Sequence, residues 1–525
     1  MQLAALAGAG ILGWVGRRTD RPIVTPATLT QAVRKLTPDV VIRAFISAGL
    51  CREGDPVTFG QPIQRDGRGW LAVVDLPYGR HYGQAAAKRE AIASGLDVSP
   101  VTVFTDPDGT SARRVRLWVS DVDVFAQKPV ISPLAKAESF DLWQPVPFGL
   151  DPRDRPVALP LVWSSLLVGA IPRMGKTTAA RLPAAAAALD PYARLLVWDG
   201  KGGTDWEPFA HLAHVYAAGV RESVVTHLVA TLTELVADMN TRYERLRTLP
   251  RELCPEAKVT PAITRNRRLK MPLTLVAIDE VQRYLEHPDH GKTILALLTD
   301  LAKVGPAVGI MLLLATQKPS SDVLPDDLRG QLGTRFALKV MTWQASDTIL
   351  GAGTAKAGLD ASRFLRAHKG VGILLGADDA DDADLAEHGG RAVRTHLLDL
   401  TALEHLCTRG RALRQHADTL TGMAAGDQPI TEHPTANILD AVAATFQPSE
   451  DRLWSETIIT RLATTDPDTY HGWTPHALAA ALRPYGPEPR QIWATTTDGH
   501  RTNRRGYTRN TITTAQSARL DQKQP

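Results

Sequence analysis

The chain has 525 residues, 44% of them hydrophobic and 22% charged, with a formal net charge of +4. At roughly 150 residues per domain this length predicts about three or four domains, and the composition excludes global disorder. Cys51, Cys254 and Cys407 lie too far apart for zinc-ligand spacing or a disulfide framework, which excludes a thiolate metal site and fits a reducing cytoplasm.

In chain order, Leu3 to Val15 is apolar and is followed by Arg17 and Arg18. The run is shorter than the ~20 residues that cross a bilayer. Its positive charge lies on the wrong side for a signal peptide. Two readings of residues 1–18 stay open: a buried apolar helix, or the remnant of a membrane anchor with the body of the chain held inside by the arginines. The expected location is cytoplasmic, with or without membrane association. Residues 19–135 read as a small α/β domain. Leu29 to Leu50 has helical spacing, Gly69 to Leu76 reads as a strand, Gln84 to Ser94 as a helix, and Arg114 to Val119 alternates as a strand after the turn Asp106-Pro107-Asp108-Gly109. No catalytic constellation is visible there.

Residues 136–407 alternate short apolar runs with helical segments. The runs are Ser165–Val168, Arg194–Trp198, Leu273–Ile278, Ile310–Ala315, Phe336–Val340 and Gly372–Leu375. Continuous apolar strands separated by helices predict a parallel sheet covered on both faces.

After Val168 comes Gly169-Ala170-Ile171-Pro172-Arg173-Met174-Gly175-Lys176-Thr177-Thr178, then a helical stretch. A strand, a glycine-bearing turn and a helix N-terminus form a ready anion cradle of backbone N–H groups. Gly175 lets the backbone approach phosphate, Lys176 can reach the β- and γ-phosphates, and the Thr177 hydroxyl can ligate Mg²⁺. The usual loop has a glycine five positions before Gly175; here that position is Ala170, and Gly169 precedes it. A positive φ required at that point would fall on Ala170, which disfavours it. Pro183 predicts a kink in the following helix.

Leu273–Ile278 ends in Asp279-Glu280, an acidic pair at the edge of the sheet where ligands bind. Asp279 suits a magnesium ligand and Glu280 suits polarisation of an attacking water. Ile310–Ala315 ends in Thr316-Gln317, and Gln317 can contact a γ-phosphate or the lytic water. Asp199-Gly200-Lys201-Gly202-Gly203 forms another glycine-rich loop at the same edge.

In this order the motifs resemble the FtsK/SpoIIIE family of DNA-pumping ATPases, including the TraB-like conjugative and mobile-element proteins of actinobacteria. The resemblance runs from about Pro147 to Gly376. It takes in a lead-in strand pair from Pro147 to Val157, the phosphate loop, Asp199 and Lys201, Met239 to Tyr243, and Ile278-Asp279-Glu280. Its most specific stretch is Gly305–Ile310 through Ala315-Thr316-Gln317-Lys318-Pro319-Ser320, followed by Thr334–Leu338 and Asp347–Leu350. The resemblance implies a RecA-like P-loop NTPase core that uses ATP and Mg²⁺. It also implies a homo-hexameric ring around double-stranded DNA, and Arg335 as a candidate arginine reaching a neighbouring subunit's nucleotide.

Residues 408–435 read as a polar linker, 436–515 as a compact domain and 516–525 as a disordered tail. Helices at Leu453–Leu462 and Thr474–Arg483, with a ribbon through Trp493 to Tyr507, resemble a winged-helix module. Thr474-Pro475 supplies an N-cap and N1 proline. Arg501, Arg504 and Arg505 fall on the expected wing, suited to DNA phosphates. The function expected is an ATP-dependent double-stranded DNA translocase in conjugative transfer or segregation. The alternatives are a related ATPase driving protein export and a DNA-binding regulator with a degenerate nucleotide site.

Overall fold

A computed structural model describes residues 35–377, 390–426, 438–447, 450–465, 470, 472–495 and 501–521. The apolar segment 1–18 lies outside the described residues. Among those described, no helix is long and apolar enough to cross a membrane.

The chain divides into two compact units, Met1–Gln127 and Lys128–Pro525. The first holds an antiparallel sheet of β1 (Thr58–Phe59), β2 (Gln64–Asp66), β3 (Gly69–Asp75), β4 (Val103–Pro107) and β5 (Arg114–Ser120). Its order is β1-β3-β5-β4, with β2 also on β3. Val74 and Leu117 of the sheet pack with Val41 and Phe45 of the helix Pro38–Ser47 and Ile92 of the helix Arg89–Leu96. Asp75 is buried against Arg114, 2.7 and 3.0 Å away, which holds its carboxyl below the usual range.

Among the described residues, the large sheet of the second unit has ten strands: β6 (Val146–Leu150), β7 (Pro156–Leu159), β8 (Leu166–Gly169), β9 (Arg194–Asp199), β10 (Val215–Ala218), β11 (Thr274–Asp279), β12 (Ile310–Thr316), β13 (Thr334–Leu338), β14 (Val371–Leu375) and β15 (Gly390–Thr395). Their order is β10-β9-β11-β12-β8-β13-β14-β15-β6-β7. From β10 to β13 all neighbours are parallel. Every residue of β8, β11 and β12 is buried, which is what continuous apolar runs require when both faces are covered. Beyond β13 the pairs are antiparallel, so the expectation of parallel pairing fails for β14. An apolar run reports burial, not direction; the chain between β13 and β14 returns through the short helix Trp343–Leu350 and brings the strand back reversed.

Strand β8 lies between β12 and β13, while the chain leaving it goes to β9, three positions away across β12 and β11. Such a reversal of strand order opens a crevice at the carboxyl ends of the strands. The connecting helix Lys176–Leu189 runs without interruption through buried Pro183, and its face of consecutive alanines packs closely on the sheet.

The expected linker does not begin at 408. Residues 408–416 complete the helix Leu400–His416. Gly410 is buried there and a Cβ on it would meet the Ala188 carbonyl at 2.3 Å. The Arg414 guanidinium, also buried, caps the carbonyls of Ala187, Ala188 and Ala193. Burial pushes its pKa down to about 10. Polar composition hid a packed helix because the arginine satisfies carbonyls at the end of another helix.

Past residue 437, β16 (Arg452–Trp454), β17 (Arg490–Thr495) and β18 (Arg501–Thr508) form a sheet of order β16-β18-β17, with helices Ser455–Thr465, Pro475–Leu482 and Arg509–Asp521. Thr474 caps the middle helix by accepting from the Ala477 N–H. Leu453 and Trp454, expected in a helix, are in β16. Residues 516–521, expected in the tail, continue the last helix, and the Gln516 amide donates to Asp440.

Candidate nucleotide site

The phosphate loop is braced on three sides. The Ala170 N–H donates to the Thr316 carbonyl at the end of β12, Ile171 to Lys339 beyond β13, and Gly370 to Met174. The positive φ values fall on Arg173 (67°) and Gly175 (95°), not on Ala170, so the alanine is unstrained. Gly169 has a different reason to be glycine: a Cβ there would lie 2.3 Å from the Ile349 side chain. The loop also contains Pro172, which has no N–H to contribute. The N–H groups of Arg173, Met174, Gly175, Lys176 and Thr177 have no hydrogen-bond acceptor among the described residues. Successive unengaged N–H groups at a helix start make a concavity suited to an anion.

Lys176 and Asp279 lie on the same edge of the sheet. Strand β12 separates β8 from β11, yet the Lys176 ammonium forms an ion pair with Asp279 Oδ1 and lies 3.1 Å from Glu280 Oε1. All three side chains are buried. The Thr177 hydroxyl is 3.4 Å from Asp279 Oδ2. Glu280 takes φ 50°, a left-handed conformation that turns the chain sharply after β11. Its carboxylate accepts from Gln317 at the end of β12 and from the Gln282 amide at 2.5 Å. Gln282 in turn accepts from Thr316 at 2.8 Å. Lys176, Thr177, Asp279, Glu280 and Gln317 are thus one connected cluster, adjoining Thr178 and the loop from Gly169.

Asp199, paired in register with Asp279, is fully buried. Burial pushes its carboxyl pKa up, opposed by the Lys201 N–H and reinforced by nearby Asp279. Its oxygens accept from Lys201 and Gly203 at 2.9 Å each and so shape the loop that follows.

Sequence reasoning missed Trp206, Gln282 and Arg283. Trp206 is buried and its indole N–H donates to Asp279 Oδ2 at 2.9 Å. Nothing in the spacing marks it, because the contact closes across the sheet.

The remaining expected site residues lie elsewhere, as their proposed roles require. Arg335 stands near the start of β13, opposite Leu167 of β8, away from the loop that leaves the far end of β8. Its guanidinium donates to the carbonyls of Leu332, Leu350 and Arg329, which gives it a structural task within its own chain. It also borders a cavity of about 390 Å³ with Asp326, Arg329 and Trp343. In the C-terminal sheet, Arg501, Arg504 and Arg505 occupy β18 itself. Arg504 pairs with Ile492 and sits 5.1 Å over the Trp454 ring, while Arg505 pairs with Gln491 and is exposed. Neighbours on a strand face opposite ways, so Arg504 and Arg505 do not form one row.

No family model matches the chain. Among curated proteins it is similar to the DNA translocase FtsK of Chlamydia trachomatis, 32% identical over 153 residues, which is 27% of this chain and 18% of that one. DNA translocase FtsK 2 of Ralstonia nicotianae is 34% identical over 116 residues, 22% of this chain and 15% of that one. The FtsK of Haemophilus influenzae is 38% identical over 95 residues, 18% of each. The chain therefore spans less than a fifth of the length of these relatives. Among solved structures, the conjugation coupling protein TcpA of pCW3 aligns over 72% of this chain and 99% of its own, at 16% identity and TM-score 0.43. The secretion ATPase EccC of Thermomonospora curvata aligns over 55% and 34%, at 19% identity and TM-score 0.41. Over its matched segments, the chain is similar to FtsK DNA translocases.

Proposed function

We propose that the chain is an ATP-dependent double-stranded DNA translocase working in the transfer or segregation of DNA, with a RecA-like core that assembles as a homo-hexamer. The observation that carries this reading is the convergence of Lys176, Thr177, Asp279 and Glu280 beside five unengaged backbone N–H groups. The donors available to a cation there are a hydroxyl and carboxylates, the hard oxygen set that suits Mg²⁺, which would be held by Thr177 and Asp279. Bound there, Mg²⁺ would neutralise charge developing on the phosphate oxygens.

In this reading the N–H groups of the loop from Gly169 to Thr178 cradle the phosphates. Lys176 leaves the acidic pair for the β- and γ-phosphates. Glu280, oriented by Gln282 and Gln317, accepts the proton of the water whose oxygen bonds to the γ-phosphorus as the bond to ADP breaks. The C-terminal sheet and helices act as a winged-helix module, with Arg501 and Arg505 contacting DNA phosphates. The similarity to proteins known as DNA translocases supports DNA as the partner.

The test measures ATP hydrolysis by the purified full chain with and without duplex DNA. Hydrolysis stimulated by DNA and lost in Glu280→Gln is expected. Hydrolysis indifferent to duplex DNA would remove the translocase reading while leaving an ATPase.

A further inference from the structure

We infer that Trp206 is a positioning residue for the metal-side carboxylate, holding Asp279 through a clasp formed by the loop after β9. The inference rests on the nucleotide-site reading and assigns a task to a residue outside every motif that supports it.

Four contacts close the clasp. The Gly200 N–H donates to the Asp279 carbonyl at 3.0 Å. The Arg283 guanidinium, beyond Glu280, donates back to the Gly200 carbonyl at 2.6 Å. A Cβ at Gly200 would lie 2.9 Å from the Asp279 carbonyl and 3.0 Å from that of Glu280, so the two backbones touch. The Trp206 indole then reaches the Asp279 side chain itself. Asp279 Oδ1 is held by Lys176 and by the Glu280 N–H at 2.8 Å; Oδ2 accepts from the Trp206 indole at 2.9 Å and, at the longer distance of 3.4 Å, from the Thr177 hydroxyl.

This division matters once phosphate draws Lys176 away. Oδ1 then keeps only the Glu280 N–H, and the indole becomes the main restraint on rotation of the carboxylate. The indole is itself fixed: it packs at a tilt against the Phe209 ring, 5.5 Å between centroids, and Arg181, on the helix that follows the phosphate loop, donates to the adjoining Asp205 carbonyl at 3.1 Å. Both ends of the site therefore bear on the loop that carries Trp206. A buried N–H donating to a carboxylate is a charge-assisted bond, and its loss leaves that carboxylate free to leave its coordinating geometry.

Trp206→Phe removes the donor and keeps the ring packing. The experiment titrates Mg²⁺ into the full chain with a fluorescent non-hydrolysable ATP analogue, and follows thermal unfolding in parallel. The expected result is about a tenfold higher Mg²⁺ requirement, equivalent to about 1.4 kcal/mol. Affinity for the analogue without Mg²⁺ stays near the unsubstituted value, and the unfolding midpoint falls only by the few degrees that loss of one buried donor and part of a ring costs, leaving the chain folded. Trp206→His, which keeps a ring N–H, restores part of the Mg²⁺ dependence. An unchanged Mg²⁺ requirement, or equal losses with and without Mg²⁺, overturns the assignment. If Trp206→Phe fails to fold, the indole ¹⁵N–H resonance of the unsubstituted chain decides: it shifts when Mg²⁺ joins bound analogue, and an unmoved resonance overturns the inference. A chain that binds no nucleotide at all would overturn the nucleotide-site reading as well, and so is distinguished from failure of the Trp206 assignment alone.

Discussion

Replacing Lys176 by methionine tests the electrostatics of the site in the absence of nucleotide. Lys176 is 4% exposed, and its ammonium is shared by Asp279 and Glu280, 2% and 4% exposed. Methionine preserves most of the volume and removes the charge, leaving two adjacent buried carboxylates without a counter-ion. Breaking a buried pair in this way costs about 3–5 kcal/mol. Donors from Trp206, Gln282 and Gln317 remain, which favours the lower end, about 3 kcal/mol. For a unit of several hundred residues each kcal/mol moves the midpoint by about 1–2 °C, so scanning calorimetry should show the transition of the second unit lowered by about 3–6 °C. Adding Asp279→Asn removes one of the stranded charges, and about 1–3 kcal/mol should return as a coupling energy. Strict additivity of the two substitutions, or a midpoint within ~2 °C of the parent, would refute the claim that this lysine neutralises the pair.

Arg335→Ala leaves the carbonyls of Leu332, Leu350 and Arg329 without their donor, and the isolated chain should lose about 1–3 kcal/mol in denaturant unfolding. A stability unchanged by that substitution would instead favour a task carried out only in trans. In the C-terminal region Arg461 holds the Glu450 carboxyl down to about 2, from an ordinary value of 4.5. A depressed carboxyl contributes stability above its unfolded pKa and loses it as pH falls through the folded one. Residues 450–465 should therefore gain proteolytic susceptibility between about pH 4.5 and pH 2, and Glu450→Gln should flatten that dependence.

The nucleotide cluster was legible because its parts are local. A strand, a glycine turn and a Gly-Lys-Thr run specify a cradle within ten residues, and an acidic pair ending a buried apolar run lies at a sheet edge wherever that strand is placed. Where the loop's left-handed turns fall was not legible. The sequence pointed at Ala170, whereas the left-handed turns fell on Arg173 and Gly175, and Gly169 answers to the Ile349 side chain. Local spacing cannot report a neighbour 180 residues away.

By itself, then, the sequence determined which residues form strands and helices around the phosphate loop, because burial on both faces and the needs of an anion cradle write directly into composition. Tertiary structure alone decided that Trp206 and Gln282 join the acidic pair, that Arg335 turns toward carbonyls, that β14 runs backward, and that residues 408–416 are packed helix. Each of those depends on which distant backbone supplies a hydrogen-bond partner, and side-chain type gives the capacity to bond without naming the partner.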